Sequence, residues 1–139
     1  MRTAFALRRL KVAVLVLLGI AAAGPAAAAP SERAQGKLLF DRDCASCHQI
    51  GPGAMSLGNG PSLNGIIGMP AADEPGFSYS DANQRCGVIW SSKTFDAFIA
   101  NPQGAMHGTS MAYAGLKLQA DREALFAYVS GFDAHGATR

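Results

Sequence analysis

Charge is scarce in this chain: 16% of its 139 residues are Asp, Glu, Lys or Arg, against 49% hydrophobic. Such a composition excludes a disordered, charge-dominated chain. No run of alternating β-branched and polar residues is present, so no strand is predicted. No internal repeat appears either. Aromatics make up only 8%, with Trp90 the sole tryptophan. There are three cysteines, and no second Cys/His pair at finger spacing accompanies the first two. A structural zinc site, which needs about four ligands, is thereby excluded.

Charge disappears altogether from residues 12–29, VAVLVLLGIAAAGPAAAA, which follow Arg2, Arg8, Arg9 and Lys11. A basic start, an apolar run and an Ala-rich end read as a secretory signal peptide, with cleavage after Ala28 or Ala29. The apolar core, Val12 to Ala23, is shorter than the roughly 20 residues that span a bilayer. The predicted organisation is a cleaved signal over 1–29 and one domain over 30–139, exported to the periplasm. Four of the 12 basic residues lie in the signal and none of the 10 acidic ones do. The mature domain therefore carries −2 rather than the precursor's +2, and the basic balance is no evidence for nucleic-acid binding. A domain this small buries only about two-thirds of its unfolded surface, so something besides apolar packing should help to hold it.

Cys44-Ala45-Ser46-Cys47-His48 supplies a candidate for that support. C-x-x-C-H reads as covalent attachment of one haem c, two thiols adding to two vinyl groups. The next residue, His48, then falls on one face of the ring and can ligate iron. A thioredoxin-like redox pair would need a strand before Cys44, and none is predicted there. Cys86 is left odd and is expected to be a solvent-exposed thiol.

Elsewhere the pattern is helix and loop. Ser31 is placed to cap a helix starting at Glu32, with Gly36 and Phe40 on one face. Ile50 to Gly76 is Gly- and Pro-rich and shows no period. A loop of about 27 residues is too long for a bare connection and needs something to wrap around. Thr94 is expected to cap a short helix through Phe95, Phe98 and Ile99, ended by Asn101-Pro102. A second loop runs from Gln103 to Leu118. The last helix starts near Asp121, carries Leu125, Tyr128, Val129 and Phe132 on one face, and stops at Gly131 or just beyond. The class is all-α, small and loop-rich.

The mature chain resembles a class I cytochrome c along nearly its whole length. GKLLFDRDCASCH (36–48) is similar to that family's first helix and haem-binding turn, and NGPSLNGIIG (59–68) to the loop beneath the proximal histidine. GFSYSDANQRCGVIW (76–90) resembles the segment closing the propionate side. NPQGAMHGTSMAYAGL (101–116) resembles the loop bearing an axial methionine. The resemblance implies a small cytochrome c fold, three to five helices and long loops wrapped around one covalently bound haem.

A thioether is a usual partner for histidine on an electron-transfer haem, and the residues alone leave Met55, Met69, Met106 and Met111 open. The resemblance selects Met111, ten residues after Asn101, with His48 as the other ligand. It also implies that the Pro61 carbonyl receives the His48 Nδ1–H, and that Tyr79, Asn83, Trp90 and Thr109 form a polar set around the propionates. Gly36 and Phe40 would meet Leu125 and Tyr128 where the first and last helices cross. His107 and His135 are expected at the surface.

Three positions depart from the family's pattern. Met69 stands where an arginine usually pairs with a propionate. Phe98 replaces a tyrosine whose hydroxyl reaches the axial sulfur. Gln103, Gly104, Ser110 and Leu118 occupy positions often held by lysine. The implied function is a periplasmic carrier of single electrons between redox proteins, monomeric, not an enzyme, without nucleic acid and without membrane insertion after cleavage. Docking is expected through Ala54, Ala105, Met106 and Tyr113. The alternatives are a ligand-binding or peroxidase-like haem protein with a displaceable methionine, and a haem subunit of a larger redox complex.

Overall fold

The computed structural model describes residues 30–139; the segment read as a signal peptide lies outside the described residues. The first helix, α1, is Glu32–Asp43, and the Ser31 hydroxyl caps it by accepting from the Ala34 N–H at 3.2 Å. A short α2, Asp81–Arg85, follows a loop of more than 30 residues and is capped by Ser80. Then come α3 (Ser92–Ala100), a single turn α4 (Pro102–Ala105) and α5 (Gln119–Val129). The five helices among the described residues fall within the expected three to five. No strand is formed among the described residues, only isolated bridges such as Pro70 with Ile89.

One cap differs from expectation. Ser91, not Thr94, is the N-cap of α3: its hydroxyl accepts from the Thr94 N–H at 3.2 Å, while Thr94 Oγ1 accepts from the Ser91 N–H at 2.8 Å. Thr94 therefore closes the capping box from inside the helix, an arrangement that stabilises a helix start by about 1 kcal/mol. α5 also starts slightly earlier than predicted, and Leu118 at its N-cap makes no side-chain bond.

α1 and α5 cross as the frame of the molecule. At the crossing, a Cβ on Gly36 would lie 2.8 Å from the Tyr128 Cβ and would collide with the Ala124 carbonyl. Phe40 and Tyr128 stack with ring centroids 5.5 Å apart. Leu39, Leu125 and Val129 are fully buried beside them. α3 packs on α5 through Phe95 and Phe126, whose centroids are 5.6 Å apart. The end of the chain folds back: Arg33 donates to the Gly131 carbonyl at 3.0 Å and covers the Phe132 ring. No helix among the described residues is long and apolar enough to cross a membrane.

Candidate functional site

The helical frame leaves a cavity of about 840 Å³, its open mouth included, between α1, α3, α5 and the two long loops. That is within the range of cofactor sites. Of the ten residues singled out from sequence, nine line it: Cys44, His48, Pro61, Tyr79, Asn83, Trp90, Phe98, Thr109 and Met111. The tenth, Cys47, lies just outside; its sulfur receives the amide of Asn59, itself a lining residue, at 3.1 Å.

The attachment turn continues α1. The N–H groups of Cys47 and His48 both donate to the Cys44 carbonyl, at 3.0 and 2.9 Å. His48 Nδ1–H donates to the Pro61 carbonyl at 2.8 Å. A carbonyl only accepts, so the proton sits on Nδ1 and leaves Nε2 as the free donor atom. Burial holds the His48 pKa below its ordinary value, against the opposing pull of the Pro61 bond. The ring is thus kept neutral and able to ligate. Burial also pushes the Cys44 thiol up to about 12. A reactive redox dithiol has a lowered pKa instead.

Gly60 allows the second loop to pass directly beneath this turn. A Cβ there would lie 2.9 Å from both the Cys47 carbonyl carbon and His48 Cε1.

The other loop brings Met111 to the cavity. Thr109, buried, donates from Oγ1 to Asn83 Oδ1 at 2.9 Å and accepts the Met111 N–H at 3.3 Å. Ser80 donates to the same Asn83 oxygen at 2.8 Å. The polar set therefore reaches the methionine through backbone rather than standing apart from it. The remaining thioethers lie elsewhere: Met106 is 5% exposed, packed in the core, while Met55 and Met69 are 64% and 45% exposed. Burial of Met106 also removes it from the expected docking face. His107 and His135 are exposed, as expected.

Cys86 departs from expectation. It is half-buried, and its thiol donates to the Asn83 carbonyl at 3.1 Å. The polar tip of a cysteine following α2 turns back to that helix's carbonyl rather than to water.

Several wall residues carry no mark of the site in the sequence. Phe95, Ile99, Leu125 and Val129 line the cavity, although their periodicity suggested only helix packing. Asn59, Leu63, Ile66 and Phe77 also line it. The signal that could have found the helical four is that their apolar faces exceed what a single crossing covers.

These residues fit a haem. The walls are mainly apolar, a neutral imidazole and a thioether share the one cavity, and a thiol stands at its edge beside the histidine. Those are the donor types of a covalent, six-coordinate haem.

Comparison with known proteins agrees. The family model described as Cytochrome c matches residues 33–132. The chain is 48% identical over 94 residues to cytochrome c2 of Rhodoblastus acidophilus, covering 68% of this chain and 87% of that one. It is 38% identical over 122 residues to cytochrome c2 of Blastochloris viridis, covering 88% and 94%. Identity to cytochrome c-550 of Bradyrhizobium diazoefficiens is 42% over 103 residues, 74% of each chain.

Proposed function

Because this chain belongs to the cytochrome c family, we propose that its carrier activity works through a haem held by Cys44 and Cys47 and ligated by His48 and Met111. That it is an electron carrier with covalent haem c follows from the family and the attachment motif. The observation supporting the ligand pair is that one cavity is lined by both His48 and Met111 while Met106 is packed in the core. Bound haem supplies a one-electron iron couple.

The chain's own residues do the rest. Pro61 fixes the His48 ring and raises its basicity as a ligand. Thr109 and Asn83 fix the backbone from which Met111 projects. Phe95, Phe98, Ile99 and Leu125 exclude water from the interior side. With His48 and Met111 both engaged, a bound haem would keep no position for a substrate, which supports a carrier rather than an enzyme. Phe98, which carries no phenol to reach the Met111 sulfur, packs edge-on against Trp90 at 5.2 Å in the cavity wall.

Residues 1–29 are a cleaved export signal, and the carrier works in the periplasm. Its partners are a redox donor and a redox acceptor protein, met one at a time by a monomer. Residues 102–116 carry no Asp, Glu, Lys or Arg. Lys117 is drawn onto the Ala100 and Ala114 carbonyls at 3.2 and 2.8 Å, and Arg42 is paired with Asp43 at 2.6 Å. Contact with a partner is therefore mainly uncharged, through Ala54, Ala105 and Tyr113.

Spectroelectrochemical titration of the holo-protein tests this function. A single reversible one-electron wave without peroxide turnover is expected; sustained turnover of peroxide by the native protein would favour the open-site alternative.

A further inference from the structure

The backbone on the N-terminal side of Met111 is held from outside as well as from inside. Pro102 is buried, and the Asn101 side chain caps α4 by accepting from the Gly104 N–H at 3.1 Å. This fixes the start of α4, so that residue 103 stands on the outer side of the loop, exposed. From there the Gln103 side chain runs along the loop. Its Nε2 donates to the Thr109 carbonyl at 2.7 Å, and its Oε1 accepts from the Gly108 N–H at 3.3 Å. Thr109 is the residue whose hydroxyl is bound to Asn83 and whose oxygen receives the Met111 N–H.

We propose that Gln103 is a positioning residue for the Met111 loop, clamping Thr109 from the solvent side while Asn83 holds it from within. The proposal rests on the reading of Met111 as an iron ligand. Gln103 is not among the lining residues of the cavity, so it acts only through Thr109. The chemistry demands a primary amide. One N–H and one carbonyl on adjacent residues need an acceptor and a donor carried by the same side chain. Glu offers only acceptors and Lys only donors. Asn has both but is one methylene shorter. Any movement of Met111 that carries the Thr109 backbone with it breaks the short Gln103–Thr109 bond. The clamp therefore sets how readily the sixth position opens.

Imidazole binding to the ferric holo-protein, followed by stopped-flow absorbance, reads that opening. Loss of one such hydrogen bond should make Gln103→Ala bind imidazole about fivefold faster than wild type. Gln103→Glu is the diagnostic variant. It matches the shape and keeps the acceptor for Gly108, yet sets a carboxylate against the Thr109 carbonyl. It should bind imidazole at least as fast as Gln103→Ala. A residue that merely filled space or favoured the turn would be replaced by Glu without effect, so a wild-type rate in Gln103→Glu overturns the proposal.

Hydrogen exchange of the Gly108 and Met111 amides gives a readout independent of what ligates iron. Faster Met111 exchange in both variants and faster Gly108 exchange in Gln103→Ala, with α5 amides unchanged, are expected; unchanged Met111 exchange in both variants overturns the clamp. Wild-type protein lacking the sulfur–iron spectroscopic signature would instead refute the ligand reading, and amide exchange would still decide the role of Gln103.

Discussion

Gly60 carries no side chain because the turn above it leaves no room for one, with the Cys47 carbonyl carbon and His48 Cε1 both 2.9 Å from where a Cβ would stand. We expect Gly60→Ala to cost about 1–3 kcal/mol, as overpacking does, seen as a lower denaturant midpoint of the ferric holo-protein. An unchanged midpoint would mean that the loop yields freely. In the sequence Gly60 is visible only as one glycine of a long irregular loop, because a close approach across a dozen residues leaves no local trace. Cys44, Cys47 and His48 are legible at once, since attachment chemistry acts within five residues. Met111 is harder. Four thioethers satisfy the chemical requirement equally, and only the offset from Asn101 in the resembling family favours one. Burial of Met106 in the core removes the nearest competitor of Met111 from the cavity lining. Cys86 shows the opposite failure: neighbours that are polar in sequence do not reveal that the thiol has an acceptor in the preceding helix.

Among the elements, the α1–α5 crossing has the clearest dependence on one position. Gly36→Val should destabilise the protein more than Gly60→Ala does, because the clashes at Gly36 are closer and lie between two helices, whereas Gly60 sits in a loop that can adjust. Thermal melts of the two variants compare them directly, and a Gly36→Val melt equal to wild type would contradict the close crossing. The C-terminal turn supplies a pH dependence. Asp133 Oδ1 accepts from the His135 and Ala137 N–H groups at 2.8 and 2.9 Å, and these bonds, Ala137 foremost, hold its pKa below the ordinary carboxylate value. A carboxylate depressed in the folded state stabilises above its unfolded pKa, near 3.9, and that contribution is lost as pH falls through the folded value. Amides at His135 and Ala137 should therefore lose protection on acidification below that range, before those of α5. Simultaneous loss would contradict a locally titrating turn. The long helices are legible from caps and apolar spacing. α2 and α4, with five and four residues, are too short to show a period, and Ser91 was displaced by Thr94 because both residues of a capping box are good cap formers.

For the molecule as a whole, composition alone is misleading, because the basic residues of the first 29 positions reverse the sign of the charge on the rest. The described domain is mildly acidic, and the segment bearing Met111 is uncharged. Electrostatic steering makes association fall steeply with ionic strength. Here the electron-transfer rate with a physiological partner should change little between low and moderate salt, and a steep decline would reveal a charged docking face. The all-helical class and the need for a large internal group are both legible from sequence, the latter from a loop too long to be structureless. The shape of the site is not, because its walls are residues that also serve as ordinary core. The proposed carrier site requires His48 and Met111 to share one iron. The most direct test is the weak far-red sulfur-to-iron charge-transfer band of the ferric holo-protein, recorded for wild type, Met111→Ala and Met106→Ala. The band should be present in wild type, absent in Met111→Ala and retained in Met106→Ala; its retention in Met111→Ala, or its loss only in Met106→Ala, would contradict the assignment.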